Sequence, residues 1–210
     1  MSDIGGRTIN GFLAQLASDA PTPGGGAVAG LIGANGAALI EMVCNLTIGK
    51  AGYEEVQERI IAVREEAGAG RVSFLDLADR DATAFDGVMA ALKMPKETDA
   101  QKAERSQAIQ RGYEAAAVVP LECAKQAAAL MELAAEVTGT GNAQAASDGS
   151  SAAQCLSAAV WCATYNVEIN AAALKDQAKA QALRDEVSAL RANAQALLDA
   201  ANVAFAERIA

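Results

Sequence analysis

Apolar positions in this chain recur three and four residues apart, without the two-residue alternation of strands. That spacing predicts helices throughout. A first segment, about 8–18, puts Phe12, Leu13 and Leu16 on one face, and Pro21 and Pro23 stop it. A second, about 25–48, is rich in glycine and alanine. A third starts near Tyr53, with Val56, Ile60 and Val63 at helical spacing. It is expected to loosen at AGAGR (67–71) and to resume to about Lys93. MPKETD (94–99) breaks the pattern, with Thr98 or Asp99 as N-cap of a fourth segment. That segment runs to about Val137, and Pro120 should kink it. TGTGNAQAASDGSS (138–151) reads as the longest loop. A fifth segment covers about 150–174 and a sixth, amphipathic, about 176–209. With no internal repeat and no second domain, the expectation is an all-α bundle of long helices, one domain over 1–210.

Composition narrows the chemistry. Hydrophobic residues are 52% of the chain but aromatics only 4%, so Ala, Leu, Val and Ile must build the core. The net charge of −9 would repel a phosphate backbone, so no nucleic-acid partner is expected. Histidine is absent. That removes Ser-His-Asp and Cys-His catalysis and most catalytic zinc sites. Acid–base work falls to Asp, Glu, Lys, Tyr, Cys or water, and no metal or cofactor is expected. Cys44, Cys123, Cys155 and Cys162 lie in apolar segments and read as buried small hydrophobes in a reducing compartment. The N-terminus lacks a basic region followed by an apolar run, so a cytoplasmic location is expected.

The second segment invites two functional readings. A membrane span is opposed by Asn35, Glu41 and Asn45 inside the run, with Lys50 the only flanking cation. A phosphate loop is opposed by Ala27 after the glycines and Ala51 after Lys50, where Lys-Ser/Thr is required. Gly26 and Gly30, continued by Gly33 and Ala37, instead suit close approach of another helix. The helix start at Gly24 to Gly26 presents free N–H groups. Those glycines are either a ligand site or a tight turn.

In LADRDATAFDGVMAAL (77–92), Ala78, Ala82, Phe85, Met89 and Leu92 form one apolar stripe. Asp81 projects at its margin, between the directions of Val88 and Leu92. A carboxylate facing a core is costly unless paired. Asp81 is therefore either paired with a lysine or the cap of another helix, or it lines a cavity that uses its charge. Asn45, Asn166 and Asn170 sit in similarly apolar company. Asn142 and Asp148 flank the expected loop, with Asp148 a plausible N-cap. Lys50 follows the second segment, where a helix dipole welcomes a cation. That role and a catalytic one are both open, and Tyr53 is close enough to share its site.

PTPGGGAVAG, MVCNLTIGKAGY, DATAFDGVMAALKMPK, GNAQAASD and YNVEIN occur together and in this order. The combination resembles the cyclodeaminase/cyclohydrolase family of folate enzymes over nearly the whole chain. The resemblance implies an all-helical homodimer without cofactor, acting on a tetrahydrofolate derivative. Stand-alone length and CNLTIGK look like the bacterial methenyltetrahydrofolate cyclohydrolases. The alternatives are formimidoyltetrahydrofolate cyclodeaminase and, from another class, a non-catalytic helical binding protein. On this resemblance Asp81 would stabilise the cationic methenyl carbon. Lys50 would move a proton or hold an oxyanion, with Tyr53 as relay. Pro23, the Gly24, Gly25 and Gly26 backbone, and Asn45 would bind the pterin edges, with Asn142 and Asp148 as further ligand residues. One departure is that Ala51 and Gly52 stand where relatives carry basic residues.

Overall fold

The computed structural model describes residues 4–210 as a bundle of six α-helices. They are α1 (Ile9–Leu16), α2 (Gly25–Asn45), α3 (Gln57–Leu92), α4 (Asp99–Thr140), α5 (Ala146–Ala172) and α6 (Gln177–Ile209). Single 3₁₀ turns at Glu54–Val56 and Ala143–Ala145 lead into α3 and α5. No strand occurs among the described residues.

Local signals explain most of the boundaries. The Thr8 hydroxyl accepts the Gly11 N–H and starts α1. Thr98 starts α4 with a capping box, its side chain accepting the Gln101 N–H while Gln101 reaches back. Asp176 accepts the Ala178 and Lys179 N–H groups and starts α6. Two expectations are corrected. AGAGR does not loosen α3, because its glycines are contact points: a Cβ on Gly70 would lie 2.6 Å from the Leu130 side chain. The stretch 138–151 is not a long loop. Alanine carries α4 to Thr140 and lets α5 begin at Ala146, while Thr138 and Thr140 bond back to the Ala134 and Glu136 carbonyls. Asp148 is accordingly not an N-cap; it lies inside the first turn of α5, after Ala145.

The central element is α2, packed between α3 and α5. It is long and apolar enough to cross a membrane, yet over half of that stretch is buried in the bundle. Its glycines set the approach. A Cβ on Gly30 would lie 2.7 Å from the Phe74 carbonyl oxygen of α3, and one on Gly36 would lie 2.7 Å from Leu156 of α5. Ile40, Phe74, Met131 and Leu156, all fully buried, fill the core between α2, α3, α4 and α5. At about 25 cal/mol per Å² of apolar surface, each such side chain contributes roughly 1.5–3 kcal/mol. α4 continues through Pro120. Proline cannot donate to Ala116, four residues earlier. The Asn170 side chain donates to the Ala116 carbonyl instead, at 3.0 Å.

Candidate active site

α3 passes the start of α2 and places Asp81 there. The N-cap residue of α2 is Gly24, which has no side chain to satisfy the first N–H groups. Asp81 does so from the neighbouring helix: the Ala27 N–H donates to its carboxylate. Contact is close enough that a Cβ on Gly26 would lie 2.2 Å from a carboxylate oxygen. This is why glycine stands at Gly26. Burial pushes the Asp81 carboxyl up to about 6, and the Ala27 N–H pulls partly against that rise. The buried Cys123 thiol is pushed up to about 12, by burial first and by the charge of Asp81 second.

The helical position of Asp81 differs from expectation. Phe85 and Leu92 are partly exposed, whereas Leu77, Ala78, Ala82, Val88 and Ala91 are buried. The buried stripe is therefore rotated towards Asp81, which lies within it and not at its margin. Phe85 leaves the core because it lines a cleft of about 640 Å³ with Asp81. Gly24 and Gly25 form one wall. Tyr113, Asn166 and Asn170 reach the cleft from α4 and α5. The Thr22–Pro23 bond beside it is cis.

Asn166 donates to the Cys162 carbonyl, and its amide lies against Gly25, 3.2 Å from where a Cβ would stand. YNVEIN had marked Asn166 and Asn170 as polar residues in apolar company. Nothing in the sequence marked Tyr113, whose place depends on how α4 meets α5.

The remaining expected residues gather elsewhere. After α2, Gly49 and Gly52 take φ values of 72° and 87°, a turn region glycine enters without strain. The turn brings Lys50 Nζ to 2.8 Å from Asn142 Oδ1. Asn142 donates to the Leu46 carbonyl, and its backbone N–H donates to the Thr47 hydroxyl. The Tyr53 hydroxyl accepts the Ala143 N–H, and Lys50 stands 5.9 Å from the Tyr53 ring centre. Asn45 is exposed at this end. Asp148 is on the first turn of α5 beside it.

The candidate residues thus form two groups. Pro23, Gly24, Gly25, Gly26 and Asp81 lie at the start of α2; Asn45, Lys50, Tyr53, Asn142 and Asp148 lie at its end. The 21 residues between them span about 30 Å. The cysteine expectation holds for Cys44 and Cys123, which are buried, and is corrected for Cys155 and Cys162, which are only partly covered on α5. Among the described residues no three Cys, Asp or Glu side chains converge as metal ligands.

A family model for formiminotransferase-cyclodeaminase matches residues 8–189. The chain belongs to this family. The formiminotransferase-cyclodeaminase match covers every helix that walls the cleft. A methenyltetrahydrofolate cyclohydrolase from Methylorubrum extorquens is 42% identical over 92% of this chain and 93% of its own length. A formimidoyltransferase-cyclodeaminase from Sus scrofa is 33% identical over 88% of this chain, which spans only 34% of that longer protein. The crystal structure of formiminotetrahydrofolate cyclodeaminase from Thermotoga maritima matches with a TM-score of 0.87 at 28% identity, covering 99% of this chain and 100% of that one.

Proposed function

We propose that this protein hydrolyses methenyltetrahydrofolate to formyltetrahydrofolate, with Asp81 as the central group. The observation that carries this reading is a partly buried carboxylate at the floor of a ligand-sized cleft, raised to about 6. Above that value it is an anion facing the cleft, suited to a bound cation. The methenyl carbon, bonded to two nitrogens, is such a cation. Water adds its oxygen to that carbon as Asp81 takes the proton. That proton then passes to the departing nitrogen as its bond to carbon breaks, and the hydroxyl left on the carbon gives its own proton to the Asp81 carboxylate and on to solvent, which leaves the neutral formyl group and releases one proton overall. A carboxyl near 6 gives and accepts protons readily at neutral pH. The Gly24–Gly25 backbone and the Asn166 amide offer donors and acceptors to a pterin edge.

The cyclohydrolase-named relative supports hydrolysis, since it matches over 92% of this chain and more closely than the Sus scrofa cyclodeaminase does. Ammonia release from a formimino group would pass through the same cationic carbon and is the second reading, favoured by the name of the Thermotoga maritima structure. No cofactor takes part in either. The proposal extends to a cytoplasmic homodimer, to which four unpaired cysteines are suited. The deciding experiment runs two assays on one preparation. Loss of the near-ultraviolet methenyl band faster than in buffer supports hydrolysis; ammonia from formiminotetrahydrofolate supports the second reading. Neither signal above buffer would sink both.

A further inference from the structure

We propose that Phe85 and Tyr113 make the cleft selective for a flat organic cation, so that it takes the closed methenyl form of the substrate in preference to the open, neutral formyl form. The inference rests on the reading of the Asp81 cleft as the site of chemistry. Among the described residues that line the cleft, Asp81 is the one charged group, and Phe85 and Tyr113 are the two aromatic rings. One acid, two rings and no base suit a cation. The face of an aromatic ring is negative and attracts a positive charge within about 6 Å of its centre.

These two rings are aromatics that the fold itself leaves unspent. Phe12 and Phe74 are buried and Phe205 is half-buried, whereas Phe85 is 37% exposed. The Tyr53 hydroxyl accepts the Ala143 N–H, and the Tyr165 ring lies against Trp161 and Arg191. Tyr113 has neither a hydrogen-bond partner nor a ring partner among the described residues. The lysine and arginine side chains that lie over rings cover Tyr53, Trp161 and Tyr165, and none among the described residues covers Phe85 or Tyr113.

The backbone sets both rings near the carboxylate. Phe85 follows Asp81 by four residues on α3, so it stands on the same face about 6 Å along the helix. A Cβ on Gly112 would lie 3.3 Å from the Val88 Cα, so α4 comes close to α3 at that point. Tyr113, the next residue, is thereby carried to the cleft. A ligand whose charged carbon meets the Asp81 carboxylate then has the two rings beside it. In the methenyl form the positive charge is shared by two nitrogens and the carbon that joins them, in a plane that a ring face can cover. Hydrolysis opens that plane and removes the charge. The product loses its attraction both to Asp81 and to the rings, so selection of the cation also favours release of the product.

Steady-state kinetics with the closed and open forms tests this. Phe85→Leu and Tyr113→Leu keep apolar bulk and remove the ring face. In each, KM for methenyltetrahydrofolate should rise about 10-fold while kcat changes less than about threefold. The inhibition constant of formyltetrahydrofolate, the neutral product, should change less than about threefold. Phe85→Tyr and Tyr113→Phe keep a ring and should hold KM within about threefold of wild type. A merely structural role would weaken both ligands alike, and that result overturns the selection of charge. An unchanged KM in either leucine variant overturns the part of that ring. If a leucine variant does not fold by circular dichroism, trifluorophenylalanine in place of Phe85 keeps the shape and drains the negative face. KM should still rise, and an unchanged KM overturns the inference. Wild-type protein that does not hydrolyse methenyltetrahydrofolate would instead sink the hydrolysis reading and take this inference with it.

Discussion

The two ends of α2 solve the same problem in opposite ways. At its end, the exposed carbonyls and the following turn are closed by a saturated network. Asn142 serves Lys50, Leu46 and Thr47, while Gln57 donates to the Thr47 and Tyr53 carbonyls. At its start, one carboxylate caps the helix from a neighbouring element and faces an open cleft whose described lining residues include no lysine or arginine. A satisfied polar group adds order, whereas a partly satisfied one stores free energy that a ligand can release. Chemistry is therefore expected at the start, and the end is built to hold a lysine in a fixed place.

The comparison breaks most sharply at Asp81. A folded value of about 6 against an ordinary 3.8 means that the folded chain binds more protons than the unfolded chain between those values. The contribution of Asp81 to stability is then greatest below about 3.8 and falls as pH rises through 6, by roughly 3 kcal/mol. Asp81→Asn removes that cost while its amide oxygen still accepts from Ala27. The variant should lose about 1,000-fold in turnover and melt higher than wild type at neutral pH. Loss of both activity and stability would instead make Asp81 only a cap. The pH profile is the next largest effect. Turnover should fall about tenfold per pH unit on the acid side, with a midpoint no higher than about 6, because any cation brought to the cleft lowers it. A flat profile down to pH 5 would remove Asp81 as the base only if activity also survives in Asp81→Asn.

Neighbouring glycines sharpen the contrast. Gly26→Ala puts a methyl group where the Asp81 carboxylate lies, so the carboxylate must turn away. Turnover should drop about 10- to 100-fold. Gly30→Ala, one turn further, meets the Phe74 backbone and not the carboxylate. It should cost about 1–3 kcal/mol of stability and leave the rate per folded molecule within about threefold. Denaturant titration beside steady-state rates separates the two. Equal kinetic effects would mean that Gly26 serves packing alone.

The helices were legible because alanine propensity and apolar spacing agree along most of the chain. They were hidden where polar residues bond locally. Thr138, Thr140 and Asn142 look like a loop in sequence, but two hydroxyls serve the helix behind them and Asn142 caps the 3₁₀ turn ahead. Asp81 was visible as a carboxylate on an apolar stripe. Its exact setting was not, since Phe85 belongs to the cleft and biased the stripe away from the core. The division of the site into two groups could not be read from spacing. It depends on α2 being straight and unbroken between residues that share motifs but not neighbours.

The smallest effect concerns Asn170, which lines the cleft yet spends its amide on the backbone. Pro120 leaves the buried Ala116 carbonyl without its helical donor, and Asn170 Nδ2 supplies one at 3.0 Å while also reaching the Asn166 carbonyl at 2.9 Å. Asn170→Ala should cost about 1–2 kcal/mol, the penalty of an unserved buried carbonyl, and change turnover less than about threefold. Pro120→Ala restores an N–H where the carbonyl needs it. In that background Asn170→Ala should cost less, with a coupling of about 1 kcal/mol in a denaturant double-mutant cycle. Strict additivity would detach Asn170 from the proline. A large loss of turnover at unchanged stability would move Asn170 from the scaffold into the group that handles substrate.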